Sequence, residues 1–315
     1  MKKTALLAAA LLAIALFWTA PAFAGTIPAS VVPDNARWVA HLDMERFVAT
    51  NLYGYLEKSG AFEIKSRDLD RWLKIDIPRD VTGVTVFGLG DGTKDQAVVA
   101  VSGKFDKPGL LSLIALDADH KEIAYGGNTI YSTGDDGFGA FVNDNLVVLS
   151  ESQAGIEKAL DVAAGKSKNF TGSALSASLK EIPSGAFLSG ALPDLSGLGK
   201  ELGQSKMLDN ASGVFFLAQE KQDNLLVRIQ LTSASPESAK NMADIVNGLV
   251  ALGRMSAGQS QGGDQAEMAR MVSLLDGLKV QQDGKVIKLE FERPSKEIAD
   301  LISRGHGVSI KGLLD

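Results

Sequence analysis

The chain has 315 residues, with 32 Lys and Arg against 38 Asp and Glu, three His, no Cys and a net charge of −6. An acidic balance argues against nucleic acid as a main partner, because phosphate neutralisation needs clustered cations. The lack of Cys excludes a disulfide framework, and with so few His it argues against a structural zinc site.

The chain opens on a positive start, Lys2 and Lys3, followed by an apolar run over 5–20. Pro21 and the small-residue ending Ala22-Phe23-Ala24 come next. This is the three-part order of a secretory signal peptide. The run is short for a membrane-spanning helix, which needs about 20 apolar residues. Residues 1–24 are therefore expected to be a leader, and no stable membrane span is expected after its cleavage. Its removal leaves 30 basic and 38 acidic residues, a charge of −8. The expected address is periplasmic or secreted, in a bacterium. A cysteine-free chain of this length with 45% hydrophobic residues can be held together by core burial.

Residues 36–43 predict a strand that leads into a helix over 44–58. Strands follow at 81–87 and 97–102, separated by the polar turn Gly90-Asp91-Gly92-Thr93. Asp106-Lys107-Pro108 is a helix start, since a polar cap accepts free N–H groups and Pro has none to lose in the first turn. Short strands at 130–131, 138–142 and 145–150 are punctuated by Asp135-Asp136-Gly137 and Asn143-Asp144-Asn145. A helix over 153–164 closes the first half. Residues 165–178 are polar and small, which suits a connector.

The second half repeats the pattern. It reads as a strand at 185–192, a helix over 194–203, and strands at 211–217 and 225–231. Ser235-Pro236-Glu237 then starts a helix over 237–255. A glycine-rich loop at 256–263, a helix over 265–275 and a hairpin across Asp283-Gly284 follow. A helix over 294–304 and a frayed tail over 305–315 end the chain. Gly83 and Gly213, 130 positions apart, sit in matching segments, Val81-Thr82-Gly83-Val84 and Ala211-Ser212-Gly213-Val214. Each half reads β-α-β-β-α-β-β-α, which predicts an internal duplication. The expected fold class is α+β: two similar tandem modules with mixed or antiparallel sheets packed by helices. The expected division is 1–24 signal peptide, 25–165 first module and 166–315 second module.

The first mature strand, Asp34-Asn35-Ala36-Arg37-Trp38-Val39-Ala40-His41-Leu42-Asp43, resembles one found in a set of uncharacterised exported bacterial proteins. Tyr125-Gly126-Gly127-Asn128-Thr129-Ile130-Tyr131 and Asn145-Leu146-Val147-Val148-Leu149-Ser150 resemble stretches of the same set. The resemblance implies a tandem α+β exported protein and implies no activity.

Chemistry is sparse. No nucleophile elbow is present, and His120 and His306 lack partners by sequence, so no hydrolytic triad is formed. The acidic pairs Asp117 and Asp119, Asp135 and Asp136, and Asp91 and Asp95 lack calcium-loop spacing. Gly88-Leu89-Gly90-Asp91-Gly92 runs into a strand, not into the helix start that phosphate binding needs. No catalytic, cofactor-binding or metal-ligating residue is assigned.

The candidate ligand face is Arg37, His41 and Asp43 on strand 36–43. Alternation puts Trp38, Ala40 and Leu42 on one face and these polar residues on the other, expected to be solvated. A carboxylate two residues from an imidazole can orient it. A partial apolar stripe, Met242, Ile245, Val246, Leu249, Leu252 and Met255, continuing to Met268, Met271, Val272 and Leu275, reads as core packing. The alternative is a groove for an apolar ligand or peptide, because Met adapts to irregular shapes. The functional expectation is an exported, non-enzymatic module that binds an unknown protein or a small apolar ligand in the cell envelope. The alternatives are a hydrolase-like enzyme at His41 and Asp43, and a structural envelope component.

Overall fold

The computed structural model describes residues 27–60, 76–89, 97–133, 137–180, 182–195, 211–257 and 277–304. The leader at 1–24, the turn at 90–93, Asp135-Asp136, most of the 194–203 helix and of the glycine-rich loop, the 265–275 helix and the tail lie outside them.

The fold is α+β. The first half contributes β1 (Trp38–Asp43), β2 (Val81–Gly88), β3 (Ala97–Gly103), β4 (His120–Tyr125), β5 (Asn128–Thr133), β6 (Phe138–Asn143) and β7 (Leu146–Ser150). The second contributes β8 (Ala186–Leu192), β9 (Ala211–Lys221), β10 (Asn224–Ser233), β11 (Leu278–Asp283) and β12 (Val286–Pro294). They join in one twelve-stranded sheet, ordered β11-β12-β10-β9-β8-β1-β2-β3-β7-β6-β5-β4. All these pairings are antiparallel. The two halves therefore share a sheet and meet where β1 pairs with β8, with His41 opposite Ser189. Outward from that seam the strand order matches: β1-β2-β3-β7-β6 on one side, β8-β9-β10-β12-β11 on the other.

Helices are α1 (Met44–Val48), α2 (Asn51–Lys58), α3 (Ile77–Asp80), α4 (Lys107–Ile114), α5 (Gln153–Ala163), α6 (Ala174–Ser178), α7 (Pro236–Ala257) and α8 (Ser295–Arg304). The helix expected over 44–58 is broken in two. The Thr50 hydroxyl donates to the Phe47 carbonyl at 2.7 Å and accepts from the Tyr53 N–H at 3.0 Å, so it ends one helix and caps the next. The stretch at 165–178 is more than a connector. It carries α6, and Phe170 and Leu175 are buried. It is also stitched to the N-terminal segment, with Asp34 N–H donating to the Lys168 carbonyl and Phe170 N–H to the Val32 carbonyl.

Both sheet faces are covered at the centre. On one face Val39, Phe87, Val98, Ala100 and Val148 pack with Ile156, Ala159 and Leu160 of α5 and with Val31 and Val32. On the other, Met44 and Phe47 of α1, Leu52 and Leu56 of α2 and Ala299 of α8 pack with Phe187 and Leu225. Phe47 stacks on Phe187 across 5.7 Å between centroids. Glu220, at the end of β9, ties these helices to the sheet. Its carboxylate accepts the Asn51 and Leu52 N–H groups at 2.7 and 2.9 Å, plus the Ser295 hydroxyl. An anion is favourable there because the first N–H groups of a helix lack partners.

Candidate functional site

His41, Asp43 and Arg37 do share one side of β1, as alternation requires, but that side is not solvated. His41 is 5% exposed and Asp43 7%. The expectation of an open polar face fails for a long-range reason. β1 is a central strand, flanked by β2 and β8, and helices cover both faces. The apolar side does not lie open either: Ala40 is buried, and Trp38 and Leu42 are half-buried.

His41 Nδ1 lies 2.7 Å from the Thr85 hydroxyl on the neighbouring strand, where the two residues stand directly opposite. Burial pushes the imidazole pKa down from 6.5 to about 4, and the Arg46 cation adds to the fall. His41 is thus a neutral ring at neutral pH. Gly83 makes room for it: a Cβ there would stand 3.3 Å from the ring Cε1.

Asp43 does not orient His41. Its carboxylate caps α1 by accepting the Arg46 N–H at 3.0 Å, and the Arg46 side chain pairs with it at 3.2 Å. Burial raises its pKa above the ordinary 3.8, against the pull of Arg46. Arg37 is half-buried at the start of β1, about 20 Å along an extended chain from Asp43. The three residues do not converge on a common point. Sequence reasoning missed Thr85, Arg46 and Ser189, the residues that define the surroundings of His41. Arg46 was within reach, as the third residue after a capping Asp. Thr85 and Ser189 depend on strand register. The Ser189 hydroxyl is fully buried and makes no hydrogen bond.

Among the described residues, no group of three or more His, Asp and Glu could hold a metal ion, and no helix is long and apolar enough to cross a membrane.

The apolar stripe on α7 divides. Ala239, Met242, Ala243 and Val246 are buried against Leu231 and Ile287 of the sheet. Ile245 and Met255 face outward, 47% and 63% exposed. In the first half, α4 occupies the matching place after β3. Asp106 caps it by accepting the Gly109 N–H, as expected from Asp106-Lys107-Pro108. It buries none of its residues fully, although it carries Leu110, Leu111, Leu113 and Ile114. Leu116, just past its end, is 75% exposed.

No protein-family model matches this chain, and no curated protein matches it. Solved structures do. Crystal forms III and I of the Treponema protein TP0453 are 10% identical, cover 89% of this chain and 99% and 98% of theirs, and give TM-scores of 0.47 and 0.45. Crystal form IV is 9% identical, covers 89% of this chain and 97% of its own, and gives a TM-score of 0.50. At that identity the likeness is one of fold.

Proposed function

We propose that this chain is an exported bacterial protein, free of the membrane once its leader is removed, that binds a small apolar ligand and performs no catalysis. One observation carries the reading. The three exposed large hydrophobic side chains among the described residues are Leu116, just past the end of α4, and Ile245 and Met255 of α7. Those helices follow equivalent strands, β3 and β10, in the shared strand order. The likeness of order also supports an internal duplication, so the apolar surface would recur once per copy. Scattered exposed apolar residues need no explanation, but three gathered on or beside two equivalent helices do. A leader, an acidic body and the lack of Cys fit an exported product. A catalytic role for His41 and Asp43 is the weaker reading, because the imidazole is sequestered and the carboxylate is committed to α1.

The test is saturable binding of an apolar naphthalene dye, followed by fluorescence. Leu116→Gln combined with Met255→Gln should weaken binding at least tenfold with the melting temperature unchanged. Dye affinity equal to that of the unaltered protein, or no saturable binding at all, refutes the proposal.

A further inference from the structure

A second, polar surface lies on the other side of the molecule's chemistry, and it stands independently of the apolar helices. A recess of about 690 Å³ opens between the end of α5, the stitched segment after it and Asp34. That volume falls in the range of small-molecule sites, about 300–1,000 Å³. Its walls are fixed by the backbone. Lys166 and Ser167 N–H groups both donate to the Asp161 carbonyl, at 2.8 and 3.1 Å. Asp34 N–H donates to the Lys168 carbonyl at 3.1 Å, and Pro33 and Asn169 form an isolated antiparallel bridge. Phe170 and Val162 are buried beneath it.

The lining mixes polar side chains, from Asp34, Ser167, Lys168, Asn169, Thr171 and Ser173, with Val162 and two glycines. Two of these groups stand out. Asp34 and Lys168 are exposed, opposite in charge and held side by side by their backbones, yet neither side chain is in an ion pair among the described residues. Around them the Asn169 side-chain oxygen accepts from the Thr171 N–H and hydroxyl, and the Ser173 hydroxyl caps α6, so these groups hold the wall in place, while the Asn169 amide N–H groups and the Ser167 hydroxyl supply neutral hydrogen-bonding groups. A ligand that carries a cation and an anion a few ångströms apart satisfies both charges at once. The ammonium and carboxylate of an α-amino acid have that spacing, and the remaining space is left for its side chain.

We propose that this recess binds a free α-amino acid, its ammonium on Asp34 and its carboxylate on Lys168. Rigid walls favour this, since a preorganised site loses less freedom on binding.

The experiment is calorimetric titration of the purified protein with each of the common L-amino acids, repeated with Asp34→Asn and Lys168→Met. Both side chains are exposed, so both variants should melt as the unaltered protein does. The expected result is saturable binding of at least one amino acid, weakened tenfold or more by each substitution. Blocking the amino group by acetylation should restore equality between the unaltered protein and Asp34→Asn, both binding weakly. No saturable heat with any amino acid at millimolar concentration overturns the proposal, as does binding that survives both substitutions. Neither substitution touches α4 or α7, so failure here leaves the dye result unaffected.

Discussion

Acidification should weaken this fold through His41, and by an amount the structure sets. In the unfolded chain the imidazole takes a proton near pH 6.5, while in the folded protein it resists until about pH 4. Between those values the unfolded state binds one proton that the folded state does not, so stability falls as pH falls. The contribution is fully present above pH 6.5 and is lost down to about pH 4. At about 1.4 kcal/mol per pH unit across that window, the loss totals about 3 kcal/mol. A domain's whole stability is about 5–15 kcal/mol, so the effect is large. The groups facing the ring decide its shape. Arg46 deepens the effect because a second cation nearby disfavours imidazolium. Asp43, whose pKa is raised, acts with the opposite sign, since the folded state holds its proton more tightly and gains as pH falls through its own range. That range lies toward the low end and softens the loss there. The assay is urea unfolding at a series of pH values for the unaltered protein and for His41→Gln, which can still hydrogen-bond Thr85. Subtracting the two profiles cancels Asp43 and isolates the imidazole. The difference should decline by about 3 kcal/mol across the window. Parallel profiles, or an imidazole seen by NMR to titrate near 6.5, would refute the reasoning.

Two further outcomes follow from neighbouring contacts. Glu220→Ala removes an acceptor shared by two backbone N–H groups and the Ser295 hydroxyl; hydrogen bonds to charged groups contribute about 1.5–3 kcal/mol, and partial exposure puts the loss near 2 kcal/mol. It should appear as a lower urea midpoint, and hydrogen exchange should rise first in α2; an unchanged midpoint contradicts the role given to this carboxylate. Ser189→Ala deletes a buried hydroxyl that bonds to nothing, so the midpoint should stay or rise, by up to about 1 kcal/mol. A fall larger than that would show that the hydroxyl has a partner.

Most elements were legible because their signals are local. The cap at Asp106 with Pro108 and the Asp283-Gly284 hairpin stand where turn and cap chemistry place them, and the helix expected over 153–164 is α5, capped by Ser152. The tight turn at Gln222-Asp223, between strands expected at 211–217 and 225–231, puts both residues at positive φ, 49° and 64°. What escaped was contextual. Nothing local in residues 44–58 announces the break at Thr50, since a Thr inside a helical pattern looks the same whether it caps or continues. The stretch around His120 reads as a loop or a strand edge, and it is the edge strand β4; its His120, Lys121 and Glu122 are the kind of charge by which sheets discourage further pairing. The segment at 165–178 looked like a linker by composition, while its two apolar residues, Phe170 and Leu175, do the anchoring.

The candidate site shows the same divide more sharply. Alternation puts Arg37, His41 and Asp43 on one side of the 36–43 stretch. It could not say what lies on that side, because an alternating strand reads alike at the margin of a sheet and at its centre. β1 becomes central only because β8, some 150 residues later, pairs with it. That pairing converts an outwardly polar face into a buried one. It forces His41 to be neutral, commits Asp43 to the helix beside it, and leaves Ser189 without a partner. At the seam of the sheet the polar side chains of β1 are committed within the first half, His41 to Thr85 and Asp43 to α1, while the backbones of β1 and β8 join the halves. The uncommitted groups lie outside the core: apolar side chains just past α4 and on α7, and Asp34 and Lys168 beside α5. A sheet whose centre is closed in this way leaves its chemistry to the outer surface of the elements that cover it, which is where both proposed binding surfaces lie.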